Sequence, residues 1–166
     1  MSPKDHVILG GAAAATLAPF IGPVSLLFWV ASFLIDLDHY MDYVYHNGLR
    51  DYSFKRMFEY HNTLELYWHQ PEFLNLEVFH TIEFMTLLYL VTAYTGSIVL
   101  LSVWWGMLFH ISLDLVYLWR IKIFFKRASS LTEYFIRKRV YERRGLRPTE
   151  LYTRAAEIVN GGERNP

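Results

Sequence analysis

The chain has 166 residues, about one domain's worth, and 53% of them are hydrophobic and 17% aromatic, a composition unusual for a soluble protein and natural for a membrane-inserted one. The formal net charge is zero, yet residues 1–119 hold only Lys4, Arg50, Lys55 and Arg56, and the remaining twelve basic residues all follow Trp119. Cysteine is absent, which excludes disulfide and thiolate chemistry and leaves nitrogen and oxygen to hold any metal.

Val7–Phe20 is a continuous apolar run preceded by Lys4. Alone it resembles the core of a signal peptide, with Ala12–Ala15 as a cleavage region. A second apolar run, Val24–Ile35, follows at once, and a helical hairpin accounts for both. Ile21-Gly22-Pro23 is the turn, and Pro23 suits the first turn of a second helix reaching about Tyr40. Residues 43–77 are mixed and aromatic. Within them Tyr52–Trp68 carries Phe54, Met57, Phe58, Leu64 and Trp68 at roughly helical spacing among charges, the pattern of an amphipathic helix on a membrane surface. Pro71 marks a boundary before a third helix, about Leu74–Thr95. Gly96 and Ser97 turn the chain into a fourth, from Ser97 to Trp119 or beyond.

Several of these runs are short for a bilayer of about 30 Å, which asks for around 20 residues, so a thin or tilted bundle is expected. After Arg120 the composition changes. Ser130-Leu131-Thr132-Glu133 reads as a capping box opening a basic helix that Gly145 ends, and Thr149 as the cap of a last short helix to about Asn160, before a polar end. The expected fold is therefore all-α. Residues 1–120 form an integral membrane bundle of four transmembrane helices in two hairpins, with an interfacial segment at 43–72, and residues 121–166 form a basic helical tail. The positive-inside rule puts the tail in the cytoplasm, and an even number of spans puts the N-terminus there too.

Counting from the turns exposes a layer. His6 lies 14 residues before Phe20, and Asp36 and His39 lie 13 and 16 after Pro23; His80 and Glu83 lie 16 and 13 before Gly96, and His110 and Asp114 lie 13 and 17 after Ser97. At the helical rise each is roughly 20–25 Å from its turn, so four helices bring these groups to one level near the cytoplasmic edge of the bilayer. Asp36, Asp38 and His39, with Asp42 one turn on, crowd carboxylates at a helix C-terminus, which is unfavourable unless a cation compensates. Charges at membrane depth are costly enough that function is the default reading, although Asp38 and Asp42 could merely solvate the helix end. His110 and Asp114 share a helix face at i, i+4, and His80 and Glu83 at i, i+3. The candidate ligands are His6, Asp36, Asp38, His39, His80, Glu83, His110 and Asp114. His61, Glu65 and His69 are read as exposed or lid residues of the surface helix, and His46 as structural.

At these residues the chain resembles the membrane-bound metal-dependent hydrolases of prokaryotic inner membranes. The resemblance covers about residues 5–120 and rests on His6 before Gly10-Gly11, Asp36-Leu37-Asp38-His39, Phe79-His80-Thr81 and His110-Ile111-Ser112-Leu113-Asp114. Ile35 stands where the family has Pro, and the family's His-Arg…Thr-His-Ser stretch has no counterpart beyond His80-Thr81-Ile82-Glu83. A looser similarity links the His-x-x-x-Asp helix to zinc-dependent phospholipases C. These resemblances imply an inner-membrane enzyme and a phosphoester substrate.

So many nitrogen and oxygen donors exceed the needs of one tetrahedral ion, and two divalent metals are expected, zinc first, with manganese or iron also suited to imidazole and carboxylate. Such a site activates water for hydrolysis, with Asp38 or Glu83 as general base. At the headgroup level of the inner leaflet the expected substrate is a phospholipid or another amphipathic phosphoester, lipid otherwise serving as the annulus; no nucleic-acid partner is expected. Arg137, Lys138 and Arg139 are candidate headgroup contacts, against a plainer role in topology and anchoring. A metal or proton transporter is the alternative, since intramembrane His/Asp chains also make relays. It would need a polar path, yet Val91–Leu101 offers only Thr92, Tyr94, Thr95 and Ser97. A structural, metal-stabilised membrane protein is the third reading.

Overall fold

The computed structural model describes residues 1–161, and the polar end expected beyond them lies outside the described residues. Every regular element described is helical: α1 Pro3–Ile21, α2 Ser25–Leu34, α3 Leu37–His46, α4 Phe54–Glu65, α5 Ile82–Thr95, α6 Ile98–Arg120, α7 Leu131–Arg143 and α8 Pro148–Gly161, with 3-10 turns at Gly22–Val24, Val78–His80 and Phe124–Lys126. A single isolated parallel bridge joins Asn75 and Arg127. The chain forms two compact units that divide it otherwise than at residue 120. Met1–Asp36 joins Val78–Phe124, and Leu37–Glu77 joins the segment from Phe125 onward, so the 43–72 segment and the basic tail belong to one unit.

In the first unit, α1 opens on a closed capping box: the Ser2 hydroxyl accepts from the Asp5 amide and the Asp5 carboxylate accepts from the Ser2 amide. Gly22, at φ +64°, ends it in a conformation that favours glycine. α2 packs on α1, and α6 packs on both. Two glycines set how close they come. A Cβ on Gly10 would lie 2.0 Å from Ser32 Oγ, and one on Gly106 would lie 2.2 Å from the Phe28 carbonyl oxygen. Contacts this tight are how small residues let apolar helices associate. Side-chain bonds to backbone carbonyls then lock the register: Trp29 Nε1 donates to Val7 O at 2.9 Å, Ser102 Oγ to Val24 O at 2.6 Å, and Trp104 Nε1 to Met85 O at 3.0 Å. Ala31, Ile35, Met85 and Met107 form the apolar centre.

Two stretches, Pro3–His46 and Ile98–Arg120, are long and apolar enough to cross a membrane, and α5 is apolar but shorter. Ile8, Phe20, Leu87, Tyr94 and Val116 project outward, exposed. A soluble protein seldom leaves so much large apolar surface in water.

The second helix and the third both depart from the sequence reading. α2 stops at Leu34, Ile35 and Asp36 form a turn, and α3 starts anew at Leu37, so no single helix runs to Tyr40. Near that break the Ser32 carbonyl accepts a bond from His110 of α6, and a tertiary partner takes the acceptor a continuing helix would use. α5 does not begin near Leu74. Asn75 pairs with the backbone of residues 126–128, and the helix starts only at Ile82, where the Thr81 hydroxyl accepts from the Phe84 amide.

In the second unit, α4 is amphipathic as its spacing predicts, but Met57, Tyr60 and Leu64 enter the core with Tyr43, Phe73, Leu151 and Tyr152, while Phe54 and Phe58 stay exposed. Ser130 caps α7 by accepting from the Glu133 amide, and the returning Glu133 bond goes to the Ser129 amide, one residue earlier than in a standard box. Gly145, at φ +78°, follows the end of α7. α8 begins at Pro148, ahead of the expected Thr149 cap.

Candidate metal centre

The first unit brings together His6, Asp36, His80, His110 and Asp114. His6 sits in the second turn of α1, Asp36 in the turn after α2, His80 in the 3-10 turn before α5, and His110 and Asp114 one turn apart on α6. Asp36, His80, His110 and Asp114 each offer a ligand atom, all within 4.8 Å of one another, so this group can hold a metal ion. His6, His80, His110 and Asp114 are buried, and Asp36 keeps 20% of its side chain exposed.

His110 is fixed most firmly. Its Nδ1 lies 2.7 Å from the Ser32 carbonyl oxygen, which can only accept, so Nδ1 carries the proton. Its Nε2 then faces Asp36 Oδ1 at 3.2 Å and Asp114 Oδ2 at 3.4 Å. A bare lone pair there would be repelled by the two carboxylate oxygens, and either a proton on Nε2 or a cation in their midst relieves that repulsion. A ring nitrogen bonded to a backbone carbonyl while its opposite nitrogen faces the carboxylates is the orientation that metal-binding histidines adopt. His80 Nε2 lies 3.8 Å from Asp36 Oδ1 and 3.9 Å from Asp114 Oδ2, converging on the same point.

Asp114 links the rest. Its Oδ1 lies 3.1 Å from His6 Nε2 and 3.3 Å from the amino nitrogen of Met1, while its Oδ2 faces His110 and His80. The His6 ring stacks on that of His110 with centroids 3.7 Å apart. Buried His6 Nδ1 has no hydrogen-bond partner among the described residues.

The remaining expected ligands are not members of that group of four. Glu83 is half-buried in the first turn of α5 and falls outside the group of mutually close ligand atoms. Its pairing with His80 assumed that both sit on one helix, whereas His80 precedes the helix and Thr81 caps it. Asp38 and His39 follow Asp36 along the chain but open α3, in the second unit. There His39 Nδ1 is 3.9 Å from Asp38 Oδ1, and its Nε2 is 4.0 Å from Glu77 Oε1. Glu77 is buried and accepts from Asn75 Nδ2 at 2.6 Å and Arg127 Nη1 at 2.7 Å. Sequence reading missed it, because it stands in no periodic segment; its one signal was a lone acid three residues before His80.

His61 donates from Nε2 to the His39 carbonyl at 2.9 Å, and burial, reinforced by His39, holds its imidazole below the usual range. Glu65 and His69 are exposed. His46 lies 3.0 Å from Asp42 Oδ1 and stacks on Tyr152, and Tyr60 donates to the other Asp42 oxygen, so His46 and Asp42 hold the second unit's core. Arg137 is committed to Glu133 and to the Phe125 carbonyl, Lys138 is half-buried, and Arg139 is exposed.

No family model, no curated protein and no solved structure matches the chain.

Proposed function

We propose that the protein is a membrane-integral, metal-dependent hydrolase acting on a phospholipid or another amphipathic phosphoester at the inner leaflet. The observation that carries this reading is the convergence of buried His80, His110 and Asp114 with half-buried Asp36, His110 being oriented by the Ser32 carbonyl. A divalent ion held by His80, His110, Asp36 and Asp114, zinc by preference, would supply Lewis acidity toward a phosphoryl oxygen and would lower the pKa of water. The donor set of imidazole and carboxylate suits such an ion, and a second ion would draw on His6.

The chain's own residues divide the remaining work. His110 and Asp114 are rigid, packed on α2 and bridged to His6, and they define the centre. Asp36 keeps an exposed edge, so substrate enters on its side. Glu83, half-buried one turn from His80, is the carboxylate proposed to take a proton from water without serving as a ligand, the role the sequence equally offers to Asp38.

Membrane placement supports the substrate class. α1 and α6, at about 1.5 Å per residue, reach roughly 28 and 34 Å, a bilayer's thickness, whereas α2 and α5 reach about 15 and 21 Å. In the four-span bundle proposed here, α2 and α5 cross a locally thin or tilted region. The centre sits at the end of α1 and α2 remote from their turn; at headgroup depth there, the turns of α6 that follow His110 extend beyond the bilayer. With the basic residues inside, that depth is the cytoplasmic leaflet.

Purified protein is incubated with a mixed lipid extract, with and without a chelator, and new products are sought by mass spectrometry. Products that appear only with metal and vanish in His110→Ala support the reading. Products indifferent to chelator, or none across anionic and zwitterionic lipids, count against it.

A further inference from the structure

α7 has one face that the described residues of its own unit leave exposed. Thr132, Phe135, Ile136, Arg139, Val140 and Arg143 recur at steps of three and four residues, which puts them on one side of the helix, and all six are exposed. Phe135 and Ile136 are 57% and 58% exposed. Arg144, just past the helix end, is exposed as well, and two acidic side chains border the face, Glu142 and Glu133, the latter paired with Arg137. On the opposite side Tyr134 and Tyr141 are half-buried, and Arg137 is tied to Glu133 and the Phe125 carbonyl. The face is therefore a fixed outward surface that mixes large apolar side chains with arginines that have no ion pair among the described residues.

The geometry points to this face as a docking surface for an anionic lipid headgroup layer. It rests on the membrane reading above but concerns a different part of the molecule from the metal centre. Phosphate-tracking on a nucleic acid would use the arginines and leave Phe135, Ile136 and Val140 in water, whereas an anionic bilayer surface takes both kinds of side chain at once. The surface is also close at hand along the chain: α7 starts eleven residues after Arg120 ends α6, the longest apolar helix. That tether makes docking intramolecular and raises the local concentration of bilayer. The arginines that meet lipid are Arg139, Arg143 and Arg144, while Arg137 acts within the protein.

The absence of native cysteine allows single-site labelling. A nitroxide is attached to Ile136→Cys, and separately to Val99→Cys on α6, in the full chain reconstituted in nanodiscs of phosphatidylcholine alone or mixed with phosphatidylglycerol. Accessibility to oxygen and to a water-soluble nickel chelate is read by power saturation. The expected result is a Val99 label immersed in both discs, and an Ile136 label immersed only with phosphatidylglycerol. Arg139→Gln and Arg143→Gln should each lower the docked-to-free ratio roughly five-fold. An Ile136 label that stays open to nickel in both discs while the Val99 label is immersed overturns the docking. So does immersion indifferent to lipid charge, or shielding that grows with protein concentration, which would mark a second copy as the occupant. A Val99 label open to nickel overturns the membrane reading instead.

Discussion

Gly106→Ala puts a methyl group where α6 presses on α2. Its Cβ would stand 2.2 Å from the Phe28 carbonyl oxygen and 3.0 Å from Ala31 Cβ, and a backbone oxygen cannot swing aside as a side chain can. Relief requires α2 and α6 to separate by about 1 Å or more before the contact becomes ordinary. His110 lies one turn from Gly106 on α6, and its bond partner Ser32 one turn from Phe28 on α2. The 2.7 Å bond from His110 Nδ1 to Ser32 O is therefore stretched beyond hydrogen-bonding length. Overpacking of this kind costs about 1–3 kcal/mol, against which alanine's better helix propensity returns about 1 kcal/mol. Loss of the bond that orients a ligating histidine weakens metal binding by roughly 10- to 100-fold. Chelator competition on purified protein measures that affinity, with Gly161→Ala as the control, since nothing lies within 4 Å of a Cβ there. Gly106→Ala protein that binds metal within about two-fold of wild type would refute the argument that this helix contact positions the centre.

Ser102→Ala removes the 2.6 Å bond to the Val24 carbonyl near the turn; it should cost ~0.6–1.7 kcal/mol and lower the thermal midpoint without changing metal content, because the centre lies at the other end of α2. Asp51 accepts from the Tyr43 hydroxyl at 2.6 Å, from the Ser53 amide and from Arg56, and the Tyr43 bond leads in holding its carboxyl below the usual range. A carboxylate so lowered stabilises the fold fully above its unfolded value, about 3.9, and the contribution disappears as pH falls through the lower folded value. Asp51→Asn should therefore lower the melting temperature at pH 7, with the deficit narrowing below about pH 4; a deficit constant with pH would contradict the ionic origin.

The part of the centre that was legible in sequence is the part set by helix length. His6, Asp36, His80, His110 and Asp114 stand at matched distances from the two turns, and hairpins of matched length bring matched positions to one level. What the spacing could not carry was local geometry decided by tertiary partners. The Ser32 carbonyl serves His110 where α2 breaks, so Asp38 and His39 begin a new helix and fall in with Glu77 and His61. His80 and Glu83 looked like one helical face, but the Thr81 cap separates them. The apolar stripe of α4 was legible as a stripe, but Tyr43, Leu151 and Tyr152, which cover half of it, come from distant stretches of chain.

Metal content of the purified chain tests the central claim most directly, by elemental analysis of wild type beside Asp36→Ala, His110→Ala and His46→Ala. A divalent ion retained by wild type and by His46→Ala, and lost from Asp36→Ala and His110→Ala, is the predicted outcome. Full retention in both centre variants, or a wild-type chain that takes up no metal when supplied with zinc, manganese or iron, would contradict the account.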